Sequence, residues 1–156
     1  MSKAVTVPFE TTLLVRDHCL CLHLQRAARK IARRFDEALR PVGLTNGQFS
    51  LLMSLNRPAP PAMGAVAELL AMDRTTLTAA LKPLERRALV SVAPDPADRR
   101  SRRMSLTAAG RRLLARAVPI WETTHAAIEA LLAEGDADSG TGPAVDRLRR
   151  NLRALS

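Results

Sequence analysis

DRTTLTAALKPLERRALV, residues 73–90, is the stretch from which the rest of the chain is read. Asp73 is a short acidic side chain ahead of a helical run. It predicts an N-cap, with the carboxylate on the positive end of the helix dipole. Leu77, Leu81, Leu84 and Ala88 recur at three- and four-residue spacing and predict one apolar stripe. At about 100° per residue, the opposite side carries Thr75, Ala79, Lys82 and Arg86, flanked by Thr78. That face is small, hydroxylated and basic. It can lie in a phosphate-rich groove with threonines at base edges and Lys and Arg at phosphates. An ordinary amphipathic surface helix would carry the same stripe, so the flanking sequence decides between the two readings.

Upstream, Leu44-Thr45 opens a helix over Asn46 to Leu55, with Phe49, Leu52 and Met53 expected inside. RPAPPAMG, residues 57–64, reads as a proline-rich turn. Gly64 to Met72 predicts a short helix burying Val66, Leu69 and Leu70. Two short helices joined tightly, the second with a groove-compatible face, form a helix-turn-helix. Downstream the period changes. Leu89 to Ala93 is short and β-branched, PDPADR is turn chemistry, and Arg102 to Leu106 alternates. Together they predict a two-stranded hairpin, the wing of a winged helix. Arg99, Arg100, Arg102 and Arg103 crowd its tip and return limb. Such cations are expected to contribute nothing to a core and to suit phosphates or a narrow minor groove.

Long helices are expected on either side. The first runs from Thr11 or Thr12 to Arg40, after a loose leader over residues 1 to about 10. Leu20, Leu24, Ile31, Phe35 and Leu39 share one side, and Arg26, Arg29, Lys30, Arg33 and Glu37 the other; Pro41 and Gly43 end it. The second runs from Thr107 to about Glu134, with Leu113, Ala117, Ile128 and Leu131 on its apolar side and a kink expected at Pro119. Residues 135–143 read as a flexible loop without a calcium-ligand pattern. A last helix from Pro143 or Ala144 to Leu155 carries the stripe Val145, Leu148, Leu152 and Leu155, which asks for a partner.

The chain's 156 residues suffice for one domain with a proper core. Leu and Ala dominate, aromatics are only 3%, and the formal net charge is +9, so a helical protein with a polyanionic partner is expected. No apolar run is long enough to span a bilayer, and no signal peptide is read at the N-terminus, so a cytoplasmic protein with reduced thiols is expected. No phosphate cradle, metalloprotease helix or nucleophile elbow is present, which leaves enzyme readings little to stand on and no cofactor to expect.

With those elements in place, the chain resembles the MarR family of dimeric winged-helix repressors over nearly its whole length. The sharpest match is DPADRRSRRMSLTAAG, Asp95 to Gly110, which has the family's wing pattern of an aspartate, two arginines and then Leu-Thr-x-x-Gly. LRPVGLTNGQFSLL, Leu39 to Leu52, and LERRALV, Leu84 to Val90, support it. The family usually has Gly where this chain has Ala88, and Pro83 is unusual inside a recognition helix.

The resemblance implies a mainly α fold: one domain over 1–156, with a winged helix-turn-helix lobe at 44–106 and dimerisation helices at 11–40 and 107–156. It implies a homodimer on a pseudo-palindromic double-stranded DNA operator. Thr75, Thr76, Thr78 and Lys82 would read the major groove, with Arg74 and Arg86 also expected to bind DNA. Arg99 or Arg100, held by Asp98, would enter the minor groove, with Arg102 beside them. The expected function is a transcriptional regulator that a small molecule or oxidant releases. A non-specific architectural DNA binder is the alternative, and the wing lacks the apolar residues that a membrane-surface anchor would need.

Two sensor readings follow. Cys19 and Cys21 lie in HCLCLHL; on one helix they would point about 200° apart and could not bond to each other. Cys21 would sit on the apolar side, where the peroxide-sensing branch of the family keeps its reactive cysteine, and Cys19 on the polar side, one turn before His23. A neighbouring imidazolium can activate a thiol. Alternatively, Trp121 and His125, one turn apart, could line a pocket for a small aromatic effector, which the family places between the lobe and the dimer helices.

Overall fold

The computed structural model of the chain describes residues 6–98, 101–134 and 144–155. Its elements in order are α1 (Phe9–His18), α2 (Leu20–Leu39), a 3₁₀ turn at Arg40–Val42, α3 (Asn46–Ser54), α4 (Met63–Leu69), α5 (Arg74–Arg86), β1 (Val90–Pro94), β2 (Arg102–Leu106), α6 (Ala108–Glu134) and α7 (Ala144–Arg153). The two strands form one antiparallel hairpin, with Val90 opposite Leu106 and Pro94 opposite Arg102. The fold is the winged helix-turn-helix predicted from the periodicities.

Local chemistry places each element. Thr45 and Gln48 make a reciprocal capping box at the start of α3. Asp73 caps α5, its carboxylate accepting from the Thr76 backbone N–H at 2.7 Å and from the Thr76 hydroxyl at 2.8 Å. Those bonds hold the Asp73 carboxyl below its ordinary range, the backbone N–H first. The core sits where α3, α4, α5, the hairpin and α6 meet. Leu39, Leu51, Leu52, Val66, Leu77, Leu81, Leu84 and Met104 are its largest fully buried side chains. Each such side chain contributes about 1.5–3 kcal/mol through burial.

The Leu-Thr-x-x-Gly stretch is the joint between hairpin and α6. The Thr107 hydroxyl donates to the Ala88 carbonyl at 2.7 Å and accepts from the Gly110 N–H at 3.0 Å. A Cβ on Gly110 would lie 2.1 Å from the Leu89 carbonyl oxygen. Glycine is therefore needed for the start of α6 to press against Leu89, where the chain enters the hairpin. Ala88 is the other half of this joint. It sits at φ 52°, where the Leu89 N–H reaches back to the Leu84 carbonyl and the Ala88 N–H to Glu85. This is a left-handed helix cap that glycine would fill without strain. Ala88 is accordingly exposed and beyond the helix, not the end of the predicted apolar stripe.

Several other expectations are corrected. The first long helix is two, parted at Cys19 (φ −73°, ψ 105°), and it starts at Phe9, inside the supposed leader. No proline or glycine stands at the break, and nothing in the contacts around it accounts for it. Met53, Leu69 and Leu131 are exposed where burial was expected, while Leu51, Leu55 and Ala67 are buried instead. The proline-rich segment is more than a turn: Pro61 is buried, its carbonyl accepts from the Met104 N–H at 3.1 Å, and Ala62 bridges Arg103. Prolines suit this edge because they need donate nothing to the hairpin. The loop expected at 135–143 lies outside the described residues, and α6 continues through Pro119.

Candidate nucleic-acid interface

The outer face of α5, the start of α4 and the hairpin enclose a cleft of about 570 Å³. Arg74, Thr78 and Glu85 line it from α5, Met63 and Gly64 from α4, and Asp98, Ser101 and Arg102 from the wing. The structure thus brings together four of the residues singled out from sequence: Arg74, Thr78, Asp98 and Arg102. Lys82 and Arg86 border the next hollow along α5, with Ala79 and Pro83 between them. Thr75 and Thr76 are exposed at the N-terminal end of the same helix. α5 runs on through Pro83 to Arg86.

The hydroxyls are not equivalent. Thr76 is held by Asp73, and the Thr78 hydroxyl donates to the Arg74 carbonyl at 2.7 Å, so both offer lone pairs outward more readily than protons. Glu85, which the sequence reading passed over, is the acid on this face; it can accept from a cytosine amino group.

Of the four wing arginines, Arg99 and Arg100 lie outside the described residues, and with them the expected Asp98 salt bridge. Asp98 itself is exposed, and its carbonyl accepts from the Ser101 N–H at 2.8 Å. Arg102 projects into the cleft. Arg103 does not serve the outer face. Its Nε donates to Asp95 Oδ2 at 2.8 Å and its Nη1 to the Pro60 carbonyl at 2.9 Å, so it ties the wing to the proline segment and does contribute to structure. Asp95 is buried and also accepts from the Ala97 N–H; that bond first, and Arg103 after it, hold its carboxyl below the ordinary range. The alternation of the return strand turns Arg103 to the opposite face from Arg102, but it does not specify Asp95 and Pro60 as its partners. Arg87 was likewise missed: its guanidinium donates to the Gly43 carbonyl at 2.9 Å and fastens the end of α5 to the turn after α2.

The sensor candidates separate into two places. Trp121 stacks on Phe49 with ring centroids 6.2 Å apart, and His125 lies 4.7 Å from Trp121. His125 Nδ1 is 3.4 Å from Glu129, which also pairs with Arg149 of α7. A second cavity of about 560 Å³ opens beside Trp121, between α3, the end of α4 and α6. The thiols are elsewhere. Because Cys19 occupies the break, the premise that both cysteines ride one helix does not hold. Cys19 is half-buried and Cys21 exposed, although Cys21 keeps the side of α2 that carries Leu24, Ile31 and Phe35. Cys21 Sγ accepts from the Gln25 amide at 3.3 Å, and the His23 ring lies against the Asp17 carbonyl rather than a thiol. The stripe of the last helix is in place, but Leu148, Leu152 and Leu155 remain 38–73% exposed.

Comparison with known proteins fits this geometry. The MarR family model matches residues 44–101, the lobe that carries cleft and wing. The chain is 39% identical to the M. tuberculosis transcriptional regulator MosR, solved in complex with DNA; the match covers 88% of this chain and 93% of that one, with a TM-score of 0.68. The chain belongs to the MarR family. A second member of similar structure is the transcriptional repressor CouR bound to a DNA duplex, 30% identical, covering 90% of this chain and 94% of that one at a TM-score of 0.75. Among curated sequences, the transcriptional activatory protein BadR of Rhodopseudomonas palustris is 34% identical over 95 residues, 59% of this chain. The chain spans 54% and 61% of the lengths of the curated relatives it matches. No helix among the described residues is long and apolar enough to cross a membrane.

Proposed function

We propose that this MarR-family chain is a homodimeric, cytoplasmic repressor that binds a pseudo-palindromic DNA operator and is released by a small aromatic effector. The observation that carries the reading is the cleft joining α5 to the wing, with Arg74 and Thr78 on one side and Arg102 on the other. A surface that pairs an exposed helix with a cationic hairpin matches one groove and the phosphates beside it. α5 enters the major groove, Thr75, Thr78 and Glu85 meet base edges, and Arg74, Lys82 and Arg86 meet phosphates. Arg99 or Arg100 reaches the minor groove beside Asp98. MosR and CouR, both seen on DNA, support this assignment.

The dimer follows from the half-exposed stripe of α7 and from α1, none of whose residues is buried. Two lobes related by a two-fold axis read half-sites one helical turn apart, about 34–36 Å. The effector site is the cavity beside Trp121. It is lined mainly by apolar side chains, whereas Cys21 stands exposed on α2 with an amide as its partner, so an oxidant signal is the second reading. Competition between a duplex from the chain's own promoter and random duplex tests the function. Preference for the promoter supports a specific regulator, and equal binding would leave an architectural DNA binder.

A further inference from the structure

The cavity between the helix-turn-helix and α6 holds about 560 Å³, inside the range of roughly 300–1,000 Å³ typical of sites for small ligands. Phe49, Met53, Leu69, Leu70, Val118 and Trp121 make it apolar, and the near-parallel rings of Phe49 and Trp121 build one wall. Met53 and Leu69 line it yet stay 41% and 57% exposed, so the chain leaves apolar surface there uncovered.

The charge of the lining is more informative than its size. Among the described residues that line it, Glu122 alone is ionisable, and the other polar groups are the hydroxyls of Ser50 and Ser54. The Ser54 hydroxyl already donates to the Leu51 carbonyl at 2.7 Å, which leaves it only lone pairs to offer. Glu122 has no hydrogen bond or ion pair among the described residues, in a chain with 24 Lys and Arg against 15 Asp and Glu. An aromatic carboxylate would bring its charge beside Glu122, with no cation in the lining to receive it. A positively charged substituent meets a complementary acceptor.

We propose that this cavity selects aromatic amines, with the ring against Phe49 and Trp121 and the ammonium at Glu122. This inference rests on the effector reading above and names its ligand class. Leu69 and Leu70 give the ligand a path to the DNA face. They end α4 just before Ala71, which sits at φ 50° in the turn leading to Asp73, the cap of α5. A ring wedged between α4 and α6 bears on the turn that sets the pitch of α5.

Trp121 is the chain's single tryptophan, so its emission reports occupancy with no DNA present. The probes are para-phenylbenzylamine, para-phenylbenzoate and para-phenylbenzyl alcohol, matched in their rings and differing in charge. The full chain should bind the amine about tenfold more tightly than the carboxylate, with the alcohol between. Glu122→Gln should erase the amine's advantage and leave the alcohol's affinity unchanged. Equal or tighter carboxylate binding, or an amine preference that survives Glu122→Gln, overturns the proposal. So does an absence of binding by all three, as expected if a second copy of the chain covers the cavity. Because charge preference is read without DNA, its failure leaves the DNA-binding reading standing; failure of the ligand-free chain to bind duplex would break that reading alone.

Discussion

α5 and α7 carry the same apolar spacing and meet different fates. On α5, Leu77, Leu81 and Leu84 are 0–1% exposed, covered by α3, α4 and β1. On α7, Leu148 and Leu152 stand 38% and 40% exposed; among the described residues α6 is the main element packed against that helix. Periodicity states a demand for burial, and the folded chain shows which demands it meets itself. The α5 stripe is covered within one copy. The terminal helices are not, and the unmet demand on α7 is the physical case for a dimer.

That contrast is broken most severely by a charge on the unmet stripe. Leu148→Glu or Leu152→Glu would bury an unpaired carboxylate in the dimer interface at a cost of several kcal/mol. Sedimentation should show monomer or loss of folded protein, while Leu→Glu at these sites with an intact dimer would remove α7 from the interface. The lobe is tested next by Gly110→Ala. Its new Cβ would meet the Leu89 carbonyl oxygen at 2.1 Å, so α6 must move away from the hairpin, costing about 3 kcal/mol. Thermal denaturation should shift down by roughly 6–12 °C.

A smaller, local effect is expected at the wing. Asp95 has its carboxyl lowered in the fold, through the Ala97 N–H first and then Arg103. A group whose folded pKa is depressed stabilises above its unfolded pKa, and that contribution fades as pH falls through the folded value. The protection factors of the Ala97 and Ser101 amides, each taken against the intrinsic exchange rate at that pH, should therefore hold at neutral pH and fall below the ordinary carboxylate range. Asp95→Ala should show fast exchange there already at neutral pH. The smallest effect has the opposite sign: Ala88→Gly relieves the φ 52° cap and should stabilise the chain by about 0.5–1 kcal/mol, read as a raised denaturation midpoint.

Where local chemistry decides structure, the sequence is legible. The Asp73 cap, the α5 stripe, the hairpin and the exposure of Arg74, Thr78, Lys82 and Arg86 on the outer face of α5 all follow from spacing and turn residues. The features that were not legible have no such local signal. The break at Cys19 lacks a proline or glycine. Ala71 and Ala88 take left-handed conformations although alanine favours a continued helix. Arg103 reads as one of four wing cations until Asp95 and the Pro60 carbonyl, 43 residues away in the chain, claim it. Pro61 and Ala62 join the hairpin edge only because the helix-turn-helix folds back beside it.

The central claim is that α5 and the wing engage DNA as a dimer, mainly through phosphates. Its most direct test is the affinity for a promoter duplex measured as salt rises. If the dimer neutralises on the order of six to ten phosphates, affinity should fall about 10³-fold or more between roughly 50 and 200 mM salt, and Lys82→Ala should make that slope shallower. A nearly flat salt dependence on every duplex would contradict the account.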